Sequence, residues 1–285
     1  MPKELRKTIN QAKDVEGQIR SALQTRTKRN LLWIVTESDY DCGVYEQFFN
    51  DNVVVKPSYD EQGNGGCDRV VRIVRNIRQK NLTQRIIGIR DADYQYFLPR
   101  RYAYPDFVKH TDQRDIEMMM LTSSSVQDGL TAWNPDFASK IDLVKPVICY
   151  LGRLRIWHVA HDLTASIKKF KLAKVWNFMT TPQGLKKGWK RLLTDQYNRL
   201  TGENVNPKRL SALKKSYGLD DLEYGHVCRG HDFVQLLGIA MVDTHYSSKE
   251  IQTKLGELYS KEDFASTNLA QNIRDFAAVY GMVVM

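Results

Sequence analysis

Three acidic side chains directly follow two short apolar segments, and together they are the strongest candidates for chemistry in this chain. Glu37 follows the apolar residues 31–36, and Asp91 and Asp93 follow the apolar residues 86–90. Two carboxylates ~4 Å apart repel by roughly 4 kcal/mol at a surface-like dielectric. A divalent cation removes this repulsion, and magnesium prefers oxygen ligands of this kind. The pattern therefore predicts a magnesium site, with manganese as the alternative metal.

A parallel β-sheet would bring these acids to one edge. Continuous apolar runs are typical of strands that are buried on both faces of such a sheet. The chain has three such runs with two helical patterns between them, in the order 31–36, 41–49, 52–57, 68–80 and 86–90. This alternation predicts a parallel α/β sheet, whose ligands bind at the carboxyl ends of the strands. In extended backbone, the Asp-x-Asp spacing would also point Asp91 and Asp93 in the same direction.

The positive charge of the chain is concentrated in its second half. The 285 residues carry a formal net charge of +9, and the pI is about 9.2. Residues 151–220 contain fifteen Lys or Arg and four acidic residues, so this segment alone carries +11 and the rest of the chain −2. A basic segment beside a near-neutral one suggests that the basic segment binds the partner and that catalysis takes place in the rest of the chain. The commonest polyanionic partner of a soluble protein is nucleic acid.

The basic segment contains two lysine-rich clusters, which we predict to bind nucleic acid. They comprise Lys168, Lys169, Lys171 and Lys174, followed by Lys186, Lys187, Lys190 and Arg191. Three aromatic residues, Trp176, Trp189 and Tyr197, are interleaved with them. Exposed aromatic rings beside basic residues stack on bases, whereas buried ones would simply belong to a helical core.

The sequence predicts an α/β fold in which an N-terminal parallel sheet is followed by a mainly helical, basic C-terminal region. The predicted ranges are an N-terminal helix at 1–26, a catalytic domain at 27–125 and a nucleic-acid-binding region at 126–285. The four cysteines are scattered without a Cys-x-x-Cys pair, so neither a disulfide framework nor a structural zinc site is indicated. Without a signal core or an apolar stretch of ~18 residues, we expect a cytoplasmic protein that has no membrane segment.

Several stretches of the chain resemble the TOPRIM domain of topoisomerases, primases and OLD-type nucleases. The similarity is greater to a TOPRIM-like family that was long described only as a domain of unknown function, and that includes the toxic effector of the PARIS anti-phage defence system. The matching stretches are 35–49, 65–74, 86–94, 111–121 and, more weakly, 229–237. The Asp-x-Asp pair is the most specific part of the match.

The resemblance implies a magnesium-dependent nuclease with a Rossmann-like (Rossmannoid) sheet. By this resemblance Asp91 and Asp93 would bind the metal, Glu37 would complete the coordination or act as general acid or base, and Glu117 would be a further ligand. The implied function is that of a toxic effector that an ABC/SMC-type ATPase partner holds inactive. After infection releases it, the effector would assemble into a homo-oligomer, a dimer, and cleave tRNA.

Two positions near Glu37 need comment. The family usually places Gly directly after the Glu, where this chain has Ser38, and Gly permits backbone conformations that Ser resists. Asp41 matches an acid of the family in the same loop-to-helix turn. It is equally consistent with an acid in the first turn of a helix that interacts with the helix dipole.

Other interpretations remain open. Arg153 and His158 have the Arg-x4-His spacing of HEPN ribonucleases, but the residue after the arginine is apolar rather than polar. His226, Cys228 and His231 suggest zinc, yet no second Cys pair completes four ligands, and His231 is better interpreted as a structural histidine. DNA is an alternative substrate to tRNA, since charge does not distinguish them. The non-enzymatic alternative is a regulatory nucleic-acid-binding protein that has lost catalysis.

Overall fold

The computed structural model describes residues 14–59, 65–98, 104–163, 172–181, 184–217, 224–241 and 246–285. The chain forms two compact units, each assembled from separate stretches. Unit 1 draws on Met1–Ala92, Ala103–Asp112 and Ser260–Met285, and unit 2 draws on Asp93–Tyr102 and Gln113–Tyr259. The chain therefore passes between the units four times. Residues 260–285, which the sequence assigned to the helical region, lie in the unit that contains the sheet.

Unit 1 is built on a parallel sheet of four strands in the order β2-β1-β3-β4. The strands are β1 Leu32–Thr36, β2 Val53–Pro57, β3 Ile86–Arg90 and β4 Val108–His110. Every residue of β1 and β3 is buried, as the continuous apolar runs predict for central strands. The predicted parallel α/β sheet is confirmed. The sequence did not predict β4, because three residues are too few for a recognisable pattern.

The described residues of unit 1 form six helices. They are α1 Val15–Ala22, α2 Arg26–Arg29, α3 Asp39–Glu46, α4 Cys67–Gln79, α14 Lys261–Ala265 and α15 Asn268–Ala278. The apolar residues of α4 recur at helical spacing, and the stripe they form is buried. It packs with α1 against the side of β1 that carries Trp33 and Val35. Residues 1–13 of the N-terminal helix predicted at 1–26 lie outside the described part of the chain, and its described part forms α1, which ends at Ala22.

An aromatic cluster explains why residues 260–285 join unit 1. The ring of Phe264 is fully buried and stacks on Phe48 with a centroid distance of 4.5 Å, while Tyr45 and Phe49 approach it edge-on. Further along, the backbone N–H of Asn50 donates to the carbonyl oxygen of Val284. These contacts attach α3 and the residues before β2 to α14 and to the segment that follows α15.

Unit 2 is mainly helical, as predicted. Its helices are α5 Ile116–Thr122, α6 Ser124–Trp133, α7 Asp136–Ala160, α8 Leu172–Met179, α9 Trp189–Thr201, α10 Pro207–Ser216, α11 Tyr224–Val227, α12 Gly230–Ala240 and α13 Ser248–Leu258. A small antiparallel hairpin, β5 Thr180–Thr181 with β6 Gly184–Leu185, follows α8. Helix α7 extends into the basic segment 151–220 and ends at Ala160. No helix among the described residues is long and apolar enough to cross a membrane.

Candidate active site at the edge of the sheet

Glu37 and Asp91 meet at the carboxyl edge of the sheet. Glu37 directly follows β1 and Asp91 directly follows β3, and these strands are hydrogen-bonded parallel neighbours. The backbone N–H of Asp91 donates to Oε1 of Glu37 at 3.0 Å. The sheet order changes direction at this point, because β2 lies on one side of β1 and β3 on the other. Such switch points are the usual ligand sites of open parallel sheets.

The backbone around Glu37 is anchored on both sides. Its carbonyl oxygen accepts hydrogen bonds from the N–H of Gly66 at 3.1 Å and from the hydroxyl of Ser58 at 3.2 Å. A side chain at Gly65 would come within 2.7 Å of the same carbonyl oxygen. Gly66 itself has φ +109, a conformation that favours glycine. The Gly-Gly pair after β2 therefore allows this loop to pack closely against Glu37.

Ser38 is compatible with this geometry although the family usually has glycine there. Its φ of −140 and ψ of 169 are extended values that any residue adopts. Its hydroxyl accepts from the N–H of Asp41 at 3.2 Å, and the Asp41 carboxylate accepts from the N–H of Ser38 at 3.1 Å. This reciprocal pair is a capping box at the start of α3. The structure thus gives Asp41 a capping role.

A buried arginine lies beside the two acids. Arg90 is only 1% exposed, its Nε donates to the carbonyl oxygen of Asp91 at 2.8 Å, and its guanidinium lies 3.8 Å from the ring centroid of Tyr104. The pKa of the nearby Cys67 thiol is raised, chiefly by burial. The positive charge of Arg90 opposes this shift, and the negative charge of Glu37 adds to it. Arg90 and Glu37 are therefore both electrostatic neighbours of Cys67. A fixed positive charge is part of this edge.

Asp93 is placed differently from the sequence-based expectation. Strand β3 ends at Arg90, and Asp93 has φ +46, in the left-handed region, so extended alternation with Asp91 does not apply. Asp93 belongs to unit 2 and begins the first stretch of the chain that leaves the sheet unit. Within that unit its N–H donates to the carbonyl oxygen of Arg114 at 2.9 Å. The difference arises because Asp93 is not in extended backbone, so the alternation of side chains along a strand does not reach it.

Glu117 lies in a polar cluster inside unit 2. One carboxylate oxygen accepts from the side-chain amide of Gln252 at 2.9 Å. Nearby Asp115 caps α5 by accepting from Met118 N–H at 3.0 Å, and it also accepts from Gly230 N–H at 2.9 Å. Burial and, next in size, the charge of Glu117 raise the pKa of Asp115 to about 7. The stretches 111–121 and 229–237, which carried part of the resemblance, therefore meet in this cluster.

The structure brings together two of the four predicted metal ligands. Within the described ranges, no three His, Cys, Asp or Glu side chains are grouped so that they could hold a metal ion. The pair Glu37 and Asp91 is at one edge in unit 1, whereas Asp93 and Glu117 belong to unit 2. Oxygen donors of this pair suit magnesium, which takes one or two carboxylates and keeps water in its other positions. The roles of Asp93 and Glu117 as ligands stay predictions.

Five of the eight predicted nucleic-acid-binding residues are described, and all are exposed. They are Lys174, Lys186, Lys187, Lys190 and Arg191. Lys168, Lys169 and Lys171 lie outside the described residues. Not all of the basic segment faces solvent, because the Arg155 side chain is 12% exposed and forms a 2.7 Å ion pair with Asp232. The charge available to a polyanion is correspondingly smaller than the sequence count.

The aromatic residues that the sequence offered for base stacking are mostly buried. Trp176 is 6% exposed and Tyr197 1%, and half-buried Trp189 packs edge-on against Tyr150. For Trp176 and Tyr197 the stacking interpretation is wrong, since the helical packing of unit 2 uses their rings. The sequence analysis missed Phe178, which is 69% exposed on α8. The sequence indicated this only through helical spacing: Phe178 lies between Val175 and Met179 but outside the apolar stripe that the helix buries.

The described histidines that suggested a ribonuclease or zinc site are placed in three different surroundings. His158 is buried, and its Nδ1 lies 3.2 Å from the Tyr197 hydroxyl, a structural contact rather than an exposed catalytic one. His226 packs against the Tyr96 ring with a centroid distance of 4.2 Å. His231 is exposed, so the prediction of a structural histidine is wrong there: the buried position belongs to the next residue, Asp232.

Comparison with protein-family models, with curated proteins and with solved structures finds no match to this chain. The candidate site is therefore argued from its own residues.

Gly230 provides a stability test of the polar cluster in unit 2. A Cβ there would collide with Oδ1 of Asp115 and with Cβ of Glu117. We expect Gly230→Ala to destabilise the protein by about 1–3 kcal/mol, as overpacked sites do. The matched control is Gly43→Ala, because Gly43 lies exposed within α3 and its Cβ would meet nothing within 4 Å. Gly43→Ala should stabilise by up to ~1 kcal/mol. Urea unfolding measures both, and equal midpoints would contradict the prediction.

Proposed function

We propose that the chain is a magnesium-dependent nuclease of the TOPRIM-like kind, with its metal site on Glu37 and Asp91. The observation that carries this proposal is the hydrogen bond from Asp91 N–H to Glu37 Oε1, at the switch point between β1 and β3. It holds the Glu37 carboxylate beside Asp91, at the edge where parallel sheets bind ligands. The resemblance in the stretches 35–49 and 86–94 points to the same residues.

Each group at this edge has a distinct task in the proposal. Glu37 is oriented by the Asp91 amide and supplies a carboxylate to the metal or to a proton transfer, and Asp91 supplies a second carboxylate. Magnesium bound there stabilises negative charge that develops on a phosphodiester. Arg90, buried under Tyr104, keeps a positive charge beside the acids. It limits their mutual repulsion before any metal binds.

We propose nucleic acid as the substrate, with tRNA favoured over DNA. Five exposed basic residues lie on α8, on α9 and in the connection that precedes α9, and phosphate contacts of this kind depend strongly on salt. The choice of tRNA, the role as a toxic effector in anti-phage defence, the ABC/SMC-type ATPase partner and the active homo-oligomer rest on the resemblance. The cytoplasm is the compartment that this role requires.

Metal binding tests the proposal without requiring that the nuclease be activated. Free Mn²⁺ gives an electron paramagnetic resonance signal that is lost on binding, so titration of the purified chain counts bound ions. We expect Mn²⁺ to bind, magnesium to compete, and Asp91→Asn to weaken binding by at least about tenfold, since one of two carboxylates is lost. Asp51→Asn, at an exposed acid before β2, is the control. Equal binding by the two variants would overturn the site.

An experiment in cells identifies which nucleic acid is the substrate. RNA ends and chromosomal breaks are sequenced after expression of the wild type and of Asp91→Asn, with the candidate ATPase present. Breaks at defined tRNA positions that Asp91→Asn abolishes would support the ribonuclease, and intact tRNA with a broken chromosome would shift the proposal to DNA. A second candidate is a regulatory nucleic-acid-binding protein without catalysis, with which the exposed basic residues on α8 and α9 are equally compatible. That candidate predicts binding without any cleavage.

Phe178 is the residue that we expect to stack on a base. It is exposed on α8, one helical turn after Lys174, and the N–H of Lys186 donates to the carbonyl oxygen of Met179 beside it. Stacking on one base contributes about 1–3 kcal/mol, so Phe178→Ala should weaken binding of single-stranded RNA by roughly 5- to 150-fold. Fluorescence anisotropy at fixed salt measures this. Val279→Ala removes an exposed apolar side chain from unit 1 and should leave the affinity unchanged.

A further inference from the structure

Two cysteines from distant parts of unit 2 lie in contact. Cys149 on α7 and Cys228, directly after α11, are 79 positions apart, yet their Sγ atoms are separated by only 3.3 Å. Cys149 is half-buried, whereas Cys228 is fully buried. An S–S bond is about 2.05 Å long, so the sulfurs need to approach by roughly 1.3 Å to form one. The other two cysteines, Cys42 and Cys67, lie in unit 1.

The backbone holds this contact in place. A side chain at Gly152, one turn after Cys149, would collide with the carbonyl oxygen of Val227. The absence of a side chain there lets α7 pack directly against the segment that carries Cys228. The same carbonyl oxygen of Val227 accepts from Nη1 of buried Arg114 at 2.9 Å. The two sulfurs therefore meet through packed backbone rather than through mobile side chains alone.

The surroundings of the two thiols differ in a way that assigns their roles. The pKa of Cys149 is lowered, chiefly by the hydrogen bond with Cys228. Burial opposes this shift, whereas the positive charges of Arg153 and Lys145 add to it. Lys145 and Arg153 are one helical turn before and after Cys149 on α7. Burial raises the pKa of Cys228 well above its ordinary value. Cys149 is the thiol that ionises and is reached from solvent, and Cys228 is the one behind it.

We propose that Cys149 and Cys228 form a peroxide-reactive dithiol that closes to an intramolecular disulfide. The Cys149 thiolate attacks one oxygen of hydrogen peroxide, the O–O bond breaks, and the departing hydroxide takes up a proton to become water. This oxidises Cys149 to the sulfenic acid. Cys228 then loses its proton and attacks the sulfur of Cys149, and the hydroxyl leaves as a second water. Two thiols and one peroxide give one disulfide and two waters.

The disulfide would tie the middle of α7 to the junction between α11 and α12. It would close a loop of about 80 residues, which restricts the unfolded chain strongly. The reduced and oxidised forms would therefore differ in stability, and a thiol reductant would reverse the difference. This inference is independent of the nuclease proposal, because no residue at the sheet edge takes part.

Oxidation of the natively folded full chain tests the proposal. The reduced wild type is treated with a small excess of hydrogen peroxide, and the protein is then digested without reductant. We expect the intact mass to fall by about 2 Da, one linked peptide pair containing Cys149 and Cys228, and a Tm that rises by roughly 5–15 °C. Cys228→Ser should stop at the sulfenic acid of Cys149, which dimedone traps, and Cys149→Ser should form no disulfide.

Cys42→Ser is the matched control, and it should form the disulfide like the wild type. The Cys42 pKa is raised to about 11, chiefly by burial and then by Glu46, so this thiol is not expected to react. The proposal is overturned if the folded wild type forms no bond between Cys149 and Cys228, or if the bond appears only after denaturation. Because that result comes from the wild type, it stands even where a serine variant fails to fold.

Discussion

Glu37→Gln is expected to lower the rate of magnesium-dependent nucleic-acid cleavage by roughly 10²–10⁴-fold while the fold stays intact. Glutamine retains an oxygen that can accept the 3.0 Å hydrogen bond from Asp91 N–H, so the loop after β1 keeps its anchor. What is lost is the negative charge, on which both metal coordination and proton transfer depend. The Tm should stay within about 2 °C of the wild-type value, because the hydrogen bond survives.

The measurement is the appearance of cleaved ends, in vitro with magnesium or in cells that express the chain together with the proposed ATPase partner. Glu46→Gln is the matched control, since it makes the same change at an exposed acid of α3. Equal cleavage by Glu37→Gln and Glu46→Gln would exclude the proposed site. A loss of cleavage in His158→Ala alone would instead favour the HEPN interpretation, although His158 is buried against Tyr197.

Asp232→Ala is expected to destabilise the protein by about 3–5 kcal/mol, the largest stability effect that we predict. Asp232 is buried and forms a 2.7 Å ion pair with Arg155, whose side chain is only 12% exposed. Removing the carboxylate leaves a guanidinium buried without its counter-ion, and the desolvation of that charge is no longer compensated. Arg229 is 3.7 Å from Asp232 but is itself 44% exposed, so it contributes little.

A double variant separates the loss of the pair from the loss of packing. Arg155→Met with Asp232→Leu replaces both charges by apolar groups of similar volume, and it should recover most of the stability that Asp232→Ala loses. The control for an exposed pair is Asp195→Ala, because Arg191 and Asp195 are 85% and 53% exposed and 3.8 Å apart. Its effect should be below about 1 kcal/mol. Thermal or urea unfolding measures all three, and an Asp232→Ala cost of under ~1 kcal/mol would contradict the prediction.

The central sheet could be predicted from the sequence because its strands are short, continuous apolar runs. The run at 31–36 and the run Ile86–Arg90 became β1 and β3 to within one residue, and the acids that follow them could be placed at one edge. The direction of Asp93 could not be predicted, because it depends on a left-handed φ that Asp tolerates without requiring it. Pattern alone does not report the end of a strand to that accuracy.

Contacts between distant residues were also beyond the sequence. Nothing in the local pattern pairs Arg155 with Asp232 or Cys149 with Cys228, since both pairs join residues more than seventy positions apart. The burial of Trp176 and the exposure of Phe178 likewise depend on which side of α8 the rest of unit 2 covers. Charge and aromatic content were visible in advance, but their division between interior and surface was not.

The interleaving of the two units has a consequence for synthesis on the ribosome. The strands β1 to β4 are translated early, yet Phe264 and Val284, which complete the packing around α3 and β2, follow only after the whole of unit 2 has been made. In a nascent chain that lacks residues 260–285, α3 and β2 would not yet have these contacts. The sheet edge that carries Glu37 and Asp91 would therefore be completed late. Long separations between contacting residues also slow folding. Under the proposed function, cleavage would begin only after residues 260–285 have been translated.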